Sequence, residues 1–304
     1  MLTAFIPEFL RYLRFEKRMS ENTYVGYQQD LGQFSEYLRE AYSNLQDVKE
    51  IELMHIRSWM VQLAEEKKSQ PRTLQRKSSS LKSFFKYLLR NNVISNNPAT
   101  HIRTPKPARR IPVYLEEKDC EKILSFRNDN EDDVAKKSEL TKATEQLIIE
   151  ILYQTGMRRA ELCNLKESDI EYSRGQIRVL GKRNKERMIP ASPALLTEIR
   201  SYTDLKRKIF NLPTTALLCT DKGKAIYPNY IYRVVTHHLK DTHLARKSPH
   251  VMRHTFATQL SNNGADLNAI KELLGHSSLA ATQIYTHSNI EKLKEQYRKA
   301  HPKS

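Results

Sequence analysis

Four prolines fall between Asn96 and Pro112, in the run NNPATHIRTPKPARRIP, which also carries four Lys or Arg and no acid. Proline has no backbone N–H to donate and pushes the residue before it toward extended backbone, so no helix continues through this stretch. The chain therefore reads as two bodies: an N-terminal domain over 1–97, a basic linker over 98–112 and a second domain over 113–304. A length of 304 residues suits two domains of about 100–200 residues each.

Upstream of the linker, apolar residues recur at helical spacing: Phe5, Phe9 and Leu13; Tyr24, Tyr27, Leu31, Phe34 and Leu38; Ile56, Met60 and Leu63; Leu81, Phe84, Phe85 and Leu88. Four amphipathic helices forming a small bundle are predicted, with Trp59 in its core. The fourth helix is one-sided in charge. From Lys67 to Arg90 there are eight Lys or Arg and no acid, and Lys82, Lys86 and Arg90 recur every four residues on the face opposite the apolar stripe. That face, with Lys77 and the linker cations Arg103, Lys106, Arg109 and Arg110, suits a phosphate backbone, although a basic helix face can equally be just solvated.

Charge carries the same message for the whole chain. Lys and Arg exceed Asp and Glu by 16, a surplus that spreads a positive field over the surface and favours a polyanionic partner. Cys120, Cys163 and Cys219 form no C-x-x-C pair, so neither a disulfide framework nor a cysteine zinc site is expected, and a reducing cytoplasm fits. No apolar run approaches the roughly 18 residues of a membrane span, and the first residues interleave acids and bases where a signal peptide needs an apolar stretch, so membrane insertion and secretion are disfavoured.

Beyond Pro112 the pattern mixes. Leu147, Ile148, Ile151 and Leu152 mark a buried helix ending near Gly156. QIRVL and RMIPA flank GKRNKE as two strands of a hairpin, and Ser192-Pro193 opens the next helix. Further helices are predicted near 228–240, 249–262 and 266–274, with a last one from about Asn289, while the acidic run at 128–133 reads as a solvated loop. The expected fold class is mainly α: a helical bundle followed by an α+β domain with a small antiparallel sheet.

Phosphate-cradling and dinucleotide glycine motifs are absent, as is the G-x-S-x-G elbow of acyl transfer. His250 and His254 stand four apart, but the glutamate of a zinc-binding H-E-x-x-H is replaced by Val251, so no metal is expected. What remains is an ordered series: TGMRRAEL with Arg158, GKRNKER with Lys182, HVMRHTFAT with His250 and Arg253, LLGHSS with His276, and TQIYTH with Tyr285. This series resembles the signature of the tyrosine recombinase (phage integrase) family: Arg, Lys, His-x-x-Arg, His, and a Tyr nine residues after that His. The tail LKEQYRKAHPKS resembles the ending of the XerC/XerD-like chromosome-resolution subgroup, although Met157 and Met252 stand where leucine is common and Lys303 where arginine is.

The resemblance implies a core-binding, SAM-like bundle and a catalytic domain using Arg158, Lys182, His250, Arg253, His276 and Tyr285. It implies double-stranded DNA with a specific recombination site, strand exchange through a 3′-phosphotyrosyl intermediate and a Holliday junction, and neither cofactor nor metal. It further implies four protomers, identical or mixed with a paralogue, joined by docking of the last helix into the next subunit, and a septal DNA translocase as activator. Chromosome-dimer resolution is the expected role. A mobile-element integrase, a type IB topoisomerase and a basic DNA-binding protein without a covalent step are the alternatives.

Residue chemistry is compatible with that family reading. A five-coordinate phosphorus gains negative charge, which Arg158 and Arg253 can meet with planar, permanently charged forks; mere phosphate contacts are the plainer reading of both. Tyrosine has a pKa near 10, so about one in a thousand is phenolate at pH 7, and the Tyr285 nucleophile requires a base such as His250. The departing 5′ oxygen needs a proton from Lys182, with Lys185 its competitor, while His276 after Gly275 supplies a third donor. Glu161 reads as structural, orienting a neighbouring cation, and is left outside the site, and His254 reads as an interior or supporting histidine.

Overall fold

The computed structural model of the chain describes residues 2–105, 113–125, 138–181, 185–210, 215–275, 297 and 299–301. These form two compact units, Met1–Arg110 and Ile111–Ser304.

The first unit contains the four expected helices, α1 (Ile6–Arg11), α2 (Glu21–Ala41), α3 (Leu53–Glu65) and α4 (Pro71–Arg90), with α1 running on into a wider turn over Tyr12–Glu16. Pro71 stands in the first turn of α4, where its missing N–H costs nothing. The apolar stripes meet in one core in which Phe9, Phe34, Trp59, Phe84 and Phe85 are buried, with Phe34 and Trp59 rings 5.0 Å apart. Truncating one such ring to alanine costs about 3–5 kcal/mol, so these contacts define the bundle. Ala99 and Ile102 belong to the same core and anchor the chain just past Pro98 to the bundle.

One expectation for α4 is overturned. Lys77, assigned above to the phosphate-facing side, is 5% exposed. Its Nζ lies 3.0 Å from Oδ1 of the fully buried Asp30 of α2, also bonds Gln33, and sits 5.4 Å from the centre of the Trp59 ring. Arg76 and Ser80 complete the shell of Asp30. A carboxylate taken out of water must be paired, and Lys77 is committed to that pairing. Lys82, Lys86, Arg90 and Arg103 are exposed. Lys82 donates to the Ile102 carbonyl at 3.1 Å, and Arg90 donates to the Tyr12 hydroxyl at 3.2 Å. Lys106, Arg109 and Arg110 lie outside the described residues.

The second unit is built on α6 (Glu139–Thr155), which follows α5 (Glu117–Ser125) and is buried at every residue from Leu147 to Thr155. Ser138 caps its start, accepting from Thr141 N–H at 3.2 Å, and Gly156 ends it in the left-handed region at φ 58°. After the short α7 (Arg159–Cys163) come β1 (Ile170–Glu171), β2 (Gln176–Leu180) and β3 (Glu186–Pro190), an antiparallel sheet in that order. The expected hairpin pairs Gln176 with Pro190 through Leu180 with Glu186, and β1 adds an edge too short to read from periodicity.

Then follow α8 (Pro193–Phe210), α9 (Pro228–His238), α10 (Pro249–Asn262) and α11 (Leu267–Leu274). Helices α8 and α10 flank α6. Ser192 caps α8 by accepting from Leu195 N–H at 3.1 Å, and its own hydroxyl donates to Gln154 Oε1 at 2.8 Å, which ties α8 to the central helix. The acidic run at 128–133 and the start of the last expected helix lie outside the described residues. The described residues near its end lie in the second core. Tyr297 and Ala300 are buried in the second core, the Tyr297 and His301 rings stack 4.9 Å apart beside Phe256, and Asn263 Nδ2 donates to the Ala300 carbonyl at 2.6 Å. The rings pack against Tyr153 of α6 and Phe256 of α10.

Candidate active site

Arg158 occupies the extended residue between Gly156-Met157 and α7, where it caps that helix. Its backbone N–H donates to Glu161 Oε2 at 2.7 Å, and its Nη1 donates to Glu161 Oε1 at 2.8 Å. The i, i+3 spacing of TGMRRAEL produces both bonds, since a glutamate at the third helical position reaches back to the cap. The same carboxylate receives Nη1 and Nη2 of Arg187 from β3, at 2.9 and 2.8 Å. Burial pushes Glu161 up, but the paired Arg187 and Arg158 more than offset it and hold the carboxyl below its usual range.

The C-terminus of α11 gathers the guanidinium groups. Arg187 Nε donates to the Leu273 carbonyl at 2.7 Å, Arg253 Nη2 to that of Leu274 at 2.6 Å, and Arg158 Nη2 to that of Gly275 at 3.1 Å. The last carbonyls of a helix have no partner within it and bear partial negative charge, so three successive ones accept three cations. Arg253 Nη1 also donates to the Gly156 carbonyl at 2.8 Å. Burial, and then the nearby Arg158, lower the Arg253 pKa to about 10, which still leaves it protonated at neutral pH. A guanidinium has five N–H donors, and Arg158 and Arg253 each spend two on these bonds. With its side chain 37% exposed, Arg158 is open to an incoming anion.

His250 precedes Arg253 by one turn of α10 and is exposed. Partial burial of the ring lowers its pKa below the ordinary histidine value, and His254, Arg246, Arg159 and Arg253 add to that effect, which favours the neutral form that can accept a proton. His254, expected inside, is exposed instead, because α10 turns it away from the face that buries Arg253 and Thr255. Lys185 is exposed at the hairpin, where its carbonyl accepts Gly181 N–H at 2.7 Å. Lys182, His276 and Tyr285 lie outside the described residues. Among the described residues, no group of three or more His, Cys, Asp or Glu gathers to hold a metal, and no helix is long and apolar enough to cross a membrane.

The structure thus brings together Arg158 and Arg253 at one helix end, sets His250 one turn before Arg253, and adds Arg187 and Glu161 to the arginines. Arg187 was detectable in principle. In ERMIP it shares a face with Ile189, and a cation on the buried face of a strand requires a buried acid.

Residues 114–292 match the model of the phage integrase family, and residues 6–92 match its N-terminal SAM-like domain. The chain belongs to the phage integrase family. Relatives include the tyrosine recombinase XerC of Anoxybacillus flavithermus, 36% identical over 302 residues and covering 97% of each chain. The tyrosine recombinase XerC of Chlorobaculum parvum is 32% identical over 316 residues, 98% of this chain and 94% of that one. A solved XerH site-specific recombinase, bound to palindromic difH substrate after cleavage, has TM-score 0.68 at 22% identity over 96% of this chain and 93% of that one, the same fold. This phage integrase family member is a site-specific tyrosine recombinase.

Proposed function

We propose that the chain cuts DNA at a specific site with Tyr285 and rejoins it to a second duplex, resolving chromosome dimers. The carrying observation is the pair Arg158 and Arg253, held on adjacent carbonyls of one helix end with donors to spare, and with His250, whose neutral form is favoured, one turn before Arg253. In this reading the two guanidinium groups, with His276, bind the non-bridging oxygens of the scissile phosphate and stabilise the charge that develops at phosphorus. His250 takes the phenol proton, the Tyr285 oxygen bonds to phosphorus, and the bond to the 5′ oxygen breaks as Lys182, or its competitor Lys185, protonates the leaving group. The product is a 3′-phosphotyrosyl ester and a free 5′-hydroxyl. Attack by the 5′-hydroxyl of a partner strand reverses the step, so the chain's own residues balance every proton and bond. Two rounds pass through a Holliday junction, with four protomers on two duplexes.

Relatives named XerC across nearly the whole chain favour chromosome resolution over mobile-element integration, and the same reading places the protein in the cytoplasm. The deciding experiment uses a nicked suicide duplex carrying the DNA segment that the protein occupies in cells. A protein–DNA adduct that survives denaturant and is lost in Tyr285→Phe is expected. Absence of adduct from the unaltered protein would reassign the chain to non-covalent binding, and relaxation of supercoiled plasmid lacking that segment would point to a topoisomerase.

A further inference from the structure

We infer that Arg187 is a positioning residue for strand cleavage, a buried tie that sets Arg158, the end of α11 and Gly181 at the end of β2 in register. The inference rests on the phosphoryl-transfer reading above. Arg187 is 4% exposed, so it acts through other residues and not on DNA itself. All three nitrogens of its fork are engaged: Nη1 and Nη2 grip both oxygens of Glu161, and Nε holds the Leu273 carbonyl. Glu161 in turn holds both the backbone and the guanidinium of Arg158. Displacing Arg187 therefore moves the half-buried Arg158 through one shared carboxylate.

Two glycines show how closely the remaining parts rest on this pair. A Cβ on Gly275 would lie 3.2 Å from Arg187 Cδ and Nη1, so the backbone just before His276 runs directly over the guanidinium. A Cβ on Gly181 would lie 3.6 Å from Arg187 Nη1 and 3.7 Å from Glu161 Oε1, so the residue before Lys182 rests against the ion pair. Arg187 itself lies in β3, five residues after Lys182 and two after Lys185. Three chain segments bearing proposed catalytic groups thus converge on one fork. A buried ion pair contributes little to stability over a well-packed apolar pair, which makes the coupling of parts its distinctive product. Lysine carries the charge but cannot span two carboxylate oxygens and a carbonyl with one ammonium.

The test measures single-turnover adduct formation at saturating nicked duplex, together with duplex affinity and thermal unfolding, for Arg187→Lys, Glu161→Gln and the double variant. A misplacement of the order of 1 Å costs up to about 100-fold in rate. Arg187→Lys should cleave about 10- to 100-fold more slowly while binding the duplex within about twofold, and the double variant should be no slower than the worse single variant, because both act through Arg158. A folded Arg187→Lys that cleaves at the unaltered rate, or losses that multiply fully in the double variant, would overturn the inference. If the single variants do not fold, Glu161→Leu with Arg187→Met removes both charges. A folded but slow protein supports the tie, whereas one that cleaves normally, or does not fold either, assigns the pair to folding alone and overturns it. No Tyr285-dependent adduct from the unaltered protein would instead defeat the cleavage reading beneath it.

Discussion

Arg253 of α10 donates Nη1 to the carbonyl of Gly156 at 2.8 Å, binding a site cation to the left-handed residue that ends the central helix. The bond depends on a glycine. A Cβ there would lie 2.5 Å from Phe256 Cδ1, and the φ of 58° is itself unfavourable for a side chain. Helix ending, core packing and cation placement therefore share one residue.

Gly156→Ala should destabilise the second domain by about 2–5 kcal/mol, from left-handed strain of about 1–2 kcal/mol and an overpacked contact of about 1–3 kcal/mol. Thermal or urea unfolding checks this, and an unchanged midpoint would contradict the packing described.

Arg158→Lys should bind its duplex nearly as the unaltered chain does but lose about 100- to 1000-fold in adduct formation, as expected when a fixed donor to a developing anion is removed. The charge persists while the planar fork is lost. Gel shift and suicide-substrate assays together separate the two effects, and equal cleavage would refute the role.

Lys77 and Lys86 should part company although they share one basic helix. Lys77→Ala strips the buried Asp30 of a partner and should cost about 3 kcal/mol of stability with little change in the salt dependence of DNA binding. Lys86→Ala should leave stability within about 0.5 kcal/mol and lower the slope of log affinity against log salt by about one. Titrations from about 50 to 200 mM salt decide it, and a flat response of the unaltered protein would contradict a phosphate-binding face.

His250 titrates below its ordinary value in the folded chain because burial and neighbouring cations disfavour its charge. Between its folded and unfolded pKa values the unfolded chain binds more protons, so this histidine's contribution to stability is full above about pH 6.5 and is lost as pH falls through that window. Cleavage should rise with pH over the same acidic window and level off by about pH 6.5, and His250→Gln should remove that limb of the profile. A limb centred well above pH 6.5 would exclude His250 as the base.

Apolar spacing was enough to place the four bundle helices, the hairpin and the helices opened by Pro193, Pro228 and Pro249, because each is a local pattern of period or punctuation. The motif order was enough to point to Arg158, His250 and Arg253. Helical spacing sets Lys77 on the side of Leu74, Leu81 and Leu88 and Lys86 away from it, but the partner of Lys77, Asp30 forty-seven residues away, is decided only by packing.

Sequence by itself determined which segments are helix or strand and which side chains can meet a phosphate, since backbone propensity and functional-group chemistry are properties of short stretches. Only the tertiary structure decided that Leu273, Leu274 and Gly275 each accept one of three arginines drawn from separate elements, and that Glu161 joins two of them. The reason is electrostatic and long-range. A buried cation must be matched by whichever carbonyl or carboxylate the packed core brings to it, and that partner can lie far away along the chain, as Leu273, 86 residues on, does from Arg187.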